Sequence, residues 1–352
     1  MSWEDNLRKI SPYVAGEQPK IKGRIIKLNT NECPYPPSPD VARALKELDP
    51  SDLRLYPDPE YTDIRLALSE VYSVPSNRIF VGVGSDDVLA TSFMAFFNGQ
   101  RPVVFPDVTY SFYRVWCGLF RVPYRLIPLD SDLKIDPDDY KGEWGGILFP
   151  NPNAPTGVLM GLDRVEELVK SHPECVVICD EAYIDFGGES ALSLTDRYEN
   201  LLVVQTTSKS RSLAGLRVGW AFGSEKLISC LSDVRNSFNS YTMNRPAIAC
   251  SAAAIRDVES LKRNTGMVIK TRERIASALS EMGFDMPESS ANFVFCGRKG
   301  TSAQDLFKAL RNDGIFVRYF PGDRTGERLR VSIGTDEDMD EFLKFLGNYK
   351  GD

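Results

Sequence analysis

The chain has 352 residues, 42% hydrophobic and 26% charged, which predicts two or three domains or one large domain with a smaller one. Its net charge of −7 argues against nucleic acid as the main partner, and no apolar run reaches the roughly 18 residues that a membrane-spanning helix needs. Seven scattered cysteines without a C-x-x-C pair favour a reducing compartment, and the N-terminus shows no signal-peptide pattern, so we expect a cytoplasmic protein.

The beginning of the chain predicts an arm followed by two helices. Roughly the first thirty residues alternate short apolar groups with Pro and Gly, and residues 28–37 form a polar, proline-rich loop. The run Ser38-Pro39-Asp40 is expected to cap a helix over residues 41–45, and residues 64–68 have the spacing of an amphipathic helix.

Residues 79–84 predict a strand that runs into glycine, with Ser85 as the N-cap of the next helix. A strand, a glycine and a helix start can bind a phosphate through backbone N–H groups and the positive end of the helix dipole. Ordinary helix capping explains the same residues equally well.

Five apolar runs predict strands that are buried on both faces. Continuous apolar strands are typical of a mostly parallel α/β sheet, whose ligands bind beyond the carboxyl ends of the strands. Polar residues follow several of these runs, which indicates one shared site along this edge. The runs are residues 102–105, 146–149, 175–179, 201–204 and 218–222.

The remainder of the chain predicts a small α+β domain. A long helical stretch covers residues 247–282, and further helices are expected over 303–311 and 339–346. Strands are expected over residues 291–295, 315–318 and 329–333.

The stretch from Thr206 to Gly219 carries the strongest chemical signal. Lys209 follows a buried strand, where a lysine is costly unless its amine is used, and burial supplies the neutral amine that imine formation requires. The surrounding hydroxyls and Arg217 suit an anion such as phosphate. A surface loop that happens to contain Lys and Arg is the alternative.

Other polar residues fall at the same predicted edge. Asp180 ends a buried strand, where a protonated pyridine nitrogen would balance its charge, and Tyr183 could donate to a ring oxygen. Tyr110 offers an aromatic face, and residues 151–157 form a proline-fixed loop. Taken singly, these residues could equally be a helix cap, core tyrosines and a turn.

The only histidine, His172, has Pro and charged neighbours that predict a solvated loop. Its isolation excludes histidine-based triads and most zinc sites, so we expect no metal. The chemistry is therefore left to Lys, Asp, Tyr, Arg or a cofactor.

Taken together, these segments resemble the fold-type I, class II pyridoxal-phosphate aminotransferases, and within them the histidinol-phosphate aminotransferase family. The resemblance covers nearly the whole chain. It implies an α/β large domain with a mostly parallel central sheet over residues 34–245, and a smaller α+β domain formed by residues 246–352 together with the arm 1–33. The segments that carry it are residues 28–32, 56–58, 84–86, 151–157, 180–183, 208–209 and 214–217.

The resemblance also implies a role for each site residue. Lys209 would bond to pyridoxal 5'-phosphate and later move protons, Asp180 would hold the pyridinium proton, and Tyr183 would donate to the phenolic oxygen. Tyr110 would stack on the ring. The phosphate ligands would be Gly84, Ser85, Asp86, Thr206, Ser208 and Arg217, with Tyr56 from the partner subunit of a homodimer with shared active sites.

For the substrates, the resemblance implies that Arg330 binds the carboxylate of glutamate and Arg318 the phosphate of an imidazole substrate, while Tyr13 and Asn31 line the pocket. The expected reaction converts L-histidinol phosphate and 2-oxoglutarate to imidazole acetol phosphate and L-glutamate, a step of histidine biosynthesis. The alternatives are an aromatic amino-acid aminotransferase, an enzyme like threonine-phosphate decarboxylase, or an idle regulatory domain of the same fold.

The chain departs from the family pattern at two positions. Ala154 stands directly before Pro-Thr-Gly, where the family usually has an asparagine that binds the phenolic oxygen of the cofactor. Either Asn153 takes over this bond or Tyr183 acts alone. Cys33 stands where asparagine is common, which affects the substrate pocket rather than the chemistry.

Overall fold

The computed structural model describes residues 2–19 and 23–349, and the described residues form thirteen strands and ten α-helices. The strands are β1 (Ile26–Lys27), β2 (Ile79–Gly82), β3 (Val103–Pro106), β4 (Tyr124–Ile127), β5 (Gly146–Pro150), β6 (Val177–Asp180), β7 (Leu201–Thr206), β8 (Gly219–Phe222), β9 (Phe284–Asp285), β10 (Phe293–Arg298), β11 (Ile315–Phe316), β12 (Arg318–Tyr319) and β13 (Leu329–Ser332). The helices are α1 (Pro39–Glu47), α2 (Thr62–Tyr72), α3 (Ser85–Phe96), α4 (Phe112–Phe120), α5 (Leu162–Lys170), α6 (Glu225–Phe238), α7 (Arg245–Arg256), α8 (Val258–Glu281), α9 (Ala303–Asn312) and α10 (Asp336–Asn348).

A seven-stranded sheet forms the centre of the large domain, in the order β2-β8-β7-β6-β5-β3-β4. Strands β7, β6, β5, β3 and β4 run parallel, whereas β8 is antiparallel to both of its neighbours. The side chains of β5, β6 and β7 are buried on both faces, because helices cover the sheet on each side. The predicted α/β architecture is therefore confirmed.

One strand of this sheet, β4, was not predicted from the sequence. It pairs with β3 at the edge, and most of its side chains are exposed. An edge strand with polar residues lacks the continuous apolar run that identified the buried strands.

A second, four-stranded antiparallel sheet has the order β12-β13-β10-β9, and β1 pairs in parallel with β11 nearby. Residues Ile26 and Leu28 pack into the same hydrophobic core as α8, β10, β13 and α10. The N-terminal segment therefore packs with the C-terminal part of the chain. The domain boundaries at residues 33/34 and 245/246 stay a prediction.

Two helix predictions were wrong in detail. The stretch over residues 247–282 is not one helix but two, because Asp257 ends α7 and its carboxylate accepts from the backbone N–H of Ser260 at the start of α8. Ser85 is not the N-cap of α3 but its first residue; Gly84 holds the cap position.

The prediction of a solvated His172 was also wrong. Its ring is buried, with Nδ1 2.9 Å from the carbonyl oxygen of Leu168 and Nε2 2.8 Å from that of Tyr140. The histidine therefore joins α5 to a neighbouring turn, away from the candidate site. Cys175 and Cys179 are buried in the core. No helix in the described residues is long and apolar enough to cross a membrane.

Candidate active site

A cavity of about 910 Å³ opens at the carboxyl edge of the central sheet. Its wall combines residues that follow β6 and β7 with the N-terminal arm and with the small sheet. Residues distant in sequence thus meet at the edge where the topology places a ligand. The predicted site residues in this wall are Tyr13, Asn31, Ser85, Asp86, Tyr110, Asp180, Tyr183, Thr206, Ser208, Lys209, Arg217, Arg318 and Arg330.

Lys209 is half-buried at the centre of this wall. Its Nζ donates to the carbonyl oxygen of Thr30 at 3.1 Å and lies 5.7 Å from the centre of the Tyr183 ring. None of the ion pairs within residues 2–19 and 23–349 includes Lys209. The amine is thus held by a neutral acceptor, which leaves it open to react.

Asp180 is buried at the end of β6 with only neutral donors. The hydroxyl of Tyr113 donates to Oδ2 at 2.9 Å, and the backbone N–H of Ala182 donates to Oδ1 at 3.3 Å. Burial raises the pKa of Asp180 to about 6, although the Tyr113 hydrogen bond opposes this rise. A cation in the cavity would stabilise the charged carboxylate.

A compact anion site lies at the start of α3. Gly84 has φ +88°, and a Cβ there would lie 2.6 Å from Nη2 of Arg217. A Cβ on Gly219 would lie 2.3 Å from the backbone nitrogen of Ser85. Both glycines are therefore needed for the guanidinium and the first turn of the helix to meet, and this places a positive side chain beside free backbone N–H groups.

Hydroxyl groups complete this anion site. The N–H of Ser208 donates to Oγ1 of Thr206 at 3.1 Å, and Nη1 of Arg217 donates to Oγ of Ser208 at 3.3 Å. The Asp86 carboxylate accepts a hydrogen bond from Nη2 of Arg217 at 3.3 Å and another from the hydroxyl of Tyr110 at 2.8 Å. The Asp86 carboxylate thus fixes the Tyr110 ring against the cavity.

Two arginines of the small sheet also line the cavity. Arg318 and Arg330 stand directly opposite each other in the antiparallel pair of β12 and β13. Like charges in such a pair repel, and none of the ion pairs in the described ranges includes either guanidinium. Their side chains donate instead to backbone carbonyl oxygens, Arg318 to Val14 and Arg330 to Asn29. The arrangement is suited to a bound anion.

Comparisons with known proteins agree with this geometry. The family model "Aminotransferase class I and II" matches residues 23–346. A histidinol-phosphate aminotransferase of Brachyspira hyodysenteriae is 50% identical over 341 residues, which are 97% of this chain and 96% of the relative. The chain belongs to the class I and II aminotransferases, in the histidinol-phosphate aminotransferase family.

Solved structures with lower identity share the fold. The histidinol-phosphate aminotransferase of Sinorhizobium meliloti in complex with pyridoxal-5'-phosphate has a TM-score of 0.85 at 23% identity, with 92% of this chain and 90% of that chain covered. The L-threonine-O-3-phosphate decarboxylase of Porphyromonas gingivalis has a TM-score of 0.78 at 20% identity, with 92% and 98% covered. The fold alone thus does not separate aminotransferases from decarboxylases.

The residues of this aminotransferase fit pyridoxal phosphate. A protonated ring nitrogen would pair with Asp180, whose hydrogen-bond donors in the described residues are neutral. Gly84 and Gly219 let the Arg217 guanidinium and the first turn of α3 come close together, and these groups would bind the phosphate. Lys209 lies in the same wall of the cavity. Each part of the cofactor therefore has a chemically matched residue.

Asn153 is the predicted cofactor residue that the geometry does not support. Its buried Nδ2 donates to the carbonyl oxygen of Val108 and to Oγ1 of Thr156, both at 3.0 Å. The wall of the cavity contains Ala154 instead. The asparagine amide thus joins its loop to Val108, which follows β3, and to Thr156 within the loop; a role on the cofactor stays a prediction.

Tyr56 also lies outside this wall. Its side chain is 79% exposed and its ring centre is 4.8 Å from that of Tyr241, while Arg245 donates to its carbonyl oxygen. An exposed aromatic pair is available to a second subunit. The predicted role of Tyr56 at the partner's phosphate stays a prediction.

Tyr113 and Ser332 were not predicted as site residues. Tyr113 lies in the first turn of α4, and its hydrogen bond to Asp180 joins residues 67 positions apart, which local sequence does not reveal. Ser332 is a small residue in a predicted strand and gives no chemical signal by itself. Its hydrogen bond to Asn31 joins two residues that lie 301 positions apart in the sequence.

Proposed function

We propose that this chain is a pyridoxal-phosphate-dependent aminotransferase that acts on L-histidinol phosphate and 2-oxoglutarate in histidine biosynthesis. The products are imidazole acetol phosphate and L-glutamate. One observation supports this most directly: a single cavity is lined by the reactive lysine, by Ser85 and Arg217 at the start of α3, and by the paired arginines Arg318 and Arg330. The name of the Brachyspira relative agrees with this substrate.

Each residue of the cavity then has a task. The cofactor, when bound, supplies an electron sink for the carbanion that forms at the substrate carbon. The Asp180 carboxylate holds the proton of the ring nitrogen, and the Arg217 guanidinium with the first turn of α3 binds the phosphate. Nζ of Lys209 first holds the cofactor and then removes the proton from the substrate carbon that carries the amine.

The opposed arginines explain how one site accepts two different substrates. Histidinol phosphate carries a phosphate and 2-oxoglutarate carries two carboxylates, and guanidinium groups bind both kinds of oxyanion. Burial lowers the pKa of Arg330, yet a guanidinium remains protonated at neutral pH. We assign Arg330 to the carboxylate and Arg318 to the phosphate.

The assignment is tested by supplying the cofactor-loaded enzyme with histidinol phosphate and measuring glutamate with and without 2-oxoglutarate. Glutamate should form only when both substrates are present. Histidinol phosphate has no carboxyl group to lose, so the decarboxylase alternative is tested separately with L-threonine phosphate: release of carbon dioxide from it without an oxo acid would indicate a decarboxylase. Faster turnover of an aromatic amino acid than of histidinol phosphate would indicate an aromatic aminotransferase.

We also propose a homodimer in which Tyr56 reaches the phosphate in the partner's site. Support comes from a group of exposed hydrophobic side chains at Leu53, Leu55, Tyr56 and Tyr241. Mixing two inactive variants tests this: a dimer of Lys209→Ala and Tyr56→Ala subunits would contain one site with both residues intact. Activity should return on mixing, whereas continued inactivity of a proven mixed dimer would contradict shared sites.

The cytoplasm is the proposed location. All seven cysteines are free thiols in the structure, and Cys117, Cys175, Cys179, Cys250 and Cys296 are buried. Free thiols are typical of a reducing compartment. Cell fractionation followed by immunodetection tests the location, and recovery in an oxidising compartment would contradict it.

A further inference from the structure

The hydroxyl of Tyr183 is held by Asn31 rather than by a neighbour on its own loop. Nδ2 of Asn31 donates to the Tyr183 oxygen at 2.9 Å. Asn31 is buried and has φ +55°, so its backbone is in the left-handed region. Such a conformation in a non-glycine residue persists only where its surroundings hold it.

Every polar atom of Asn31 has a partner. Its N–H donates to Oγ of Ser332 at 2.9 Å, and the Ser332 hydroxyl donates back to Oδ1 at 2.8 Å. Its carbonyl oxygen accepts from Nδ2 of Asn292 at 3.0 Å. The residue is thus fixed by β13 and by the residue that precedes β10.

These bonds fix the direction of the side-chain amide. The Ser332 oxygen accepts from the backbone of Asn31 and has one hydrogen, which needs an acceptor. Oδ1 supplies that acceptor, so the NH₂ end of the amide must face Tyr183. The Tyr183 oxygen therefore accepts a hydrogen bond, and its own hydrogen is available to a group in the cavity.

The neighbouring residues make this direction important. Ala154 contributes a methyl group to the cavity wall, and the amide of Asn153 is engaged by Val108 and Thr156. Tyr183 also packs edge-on against Phe293, with ring centres 5.1 Å apart. The Tyr183 hydroxyl is thus a sterically fixed donor at this side of the cavity.

We infer that Asn31, oriented by Ser332, is a positioning residue for Tyr183: it donates to the tyrosine oxygen and turns the hydroxyl hydrogen toward the ring oxygen of the bound cofactor. This inference rests on the proposed function, because it needs the cofactor in the cavity. It changes the predicted role of Asn31, whose side-chain amide is engaged by protein atoms rather than by substrate.

The measurable consequence is a pH midpoint, defined as the pH at which half of the absorbance change of the lysine-bound cofactor has occurred. A hydrogen bond donated to the ring oxygen stabilises its negative charge, so the nitrogen that joins Lys209 to the cofactor holds its proton less firmly. Tyr183→Phe should raise the midpoint by about one pH unit. Asn31→Gly should raise it by about half a unit, because Tyr183 remains but loses its direction.

Asn31→Gly is the suitable variant, because glycine adopts φ +55° without strain and removes only the side-chain bonds. Ser332→Ala should shift the midpoint in the same direction, since it frees the amide to turn. Asn264→Ala is the matched control: this buried asparagine donates to the carbonyl oxygen of Pro36, outside the cavity wall, and its loss should leave the midpoint unchanged.

The decisive comparison repeats Asn31→Gly in the Tyr183→Phe background, with unfolding temperatures recorded for all variants. If Asn31 acts through Tyr183, its effect on the midpoint should disappear there. An equal shift in both backgrounds, or a lower unfolding temperature with no shift, would overturn the inference and leave the proposed function intact. A wild-type protein that forms no borohydride-reducible bond with pyridoxal phosphate would overturn both.

Discussion

Tyr113→Phe removes the buried hydroxyl that donates to Asp180, and it tests how Asp180 is kept charged. Tyr113 is fully buried and donates to Oδ2 of Asp180 at 2.9 Å. Burial raises the pKa of Asp180 to about 6, and the hydrogen bond from Tyr113 limits that rise. Phenylalanine keeps the ring and its packing, so the variant changes little besides this bond.

The size of the effect follows from the strength of a hydrogen bond to a charged group. Such a bond contributes about 1.5–3 kcal/mol, which equals roughly one to two pKa units. The pKa of Asp180 should therefore rise from about 6 to roughly 7–8 in the cofactor-free variant. The charged fraction of Asp180 at pH 6 would then fall roughly 5- to 50-fold.

The assay is the affinity of the cofactor-free protein for pyridoxal phosphate at several pH values. Because the charged carboxylate binds the ring nitrogen, Tyr113→Phe should weaken binding roughly 5- to 50-fold at pH 6 and hardly at all at pH 9. Asp180→Asn is the control that removes the titrating group. The same loss of affinity at both pH values would refute the reasoning.

Three further predictions concern two residues of the site, Lys209 and Arg330, and the buried carboxyl group of Glu181 next to Asp180. Lys209→Ala should abolish the borohydride-reducible bond to the cofactor while the unfolding temperature changes little; a remaining reducible bond would contradict the assignment. Arg330→Ala should lower the affinity for glutamate more than the affinity for pyridoxal phosphate, as measured by titrating the protein with each ligand. Equal losses of affinity would argue against a role in binding the carboxylate. For Glu181→Gln, urea unfolding should show that the variant gains stability relative to wild type as the pH rises from about 5 to 7. Burial raises the pKa of Glu181 from 4.5 to about 7. The folded wild type therefore holds a proton that its unfolded chain releases, and wild type loses stability over this pH range while the glutamine variant does not. A constant difference between the two proteins over this range would contradict it.

The central sheet was predictable because its buried strands carry continuous apolar runs, as in residues 201–204. The edge strand β4 was not, since its exposed side chains give no such pattern. The break between α7 and α8 depends on one capping aspartate, Asp257, inside an otherwise helical stretch. The burial of His172 depends on two carbonyl oxygens that local sequence does not reveal.

The residues of the candidate site can likewise be divided into those that the sequence could predict and those that it could not. Lys209, Asp180 and Tyr183 were identifiable because Asp180 ends a buried strand and the other two follow such strands, and the ends of parallel strands meet at one edge. The pairing of Asn31 with Tyr183 was not identifiable, because 152 residues separate the two and the small sheet fixes their contact. Asn153, adjacent to the expected position, was the natural choice from sequence, yet its amide donates to Val108 and Thr156.

Strand β13 brings substrate binding and cofactor polarisation together. Arg330 and Ser332 are two residues apart on this strand, so their side chains leave the same face. Arg330 faces the cavity beside Arg318, while Ser332 fixes the amide of Asn31 and thereby the hydroxyl of Tyr183. An anion that draws Arg330 toward the cavity acts on the strand that orients the Tyr183 hydrogen bond. The midpoint of the cofactor absorbance should therefore respond to a bound dicarboxylate in wild type and respond less in Asn31→Gly, because the Asn31 amide is the hydrogen-bonded link from Ser332 of β13 to Tyr183.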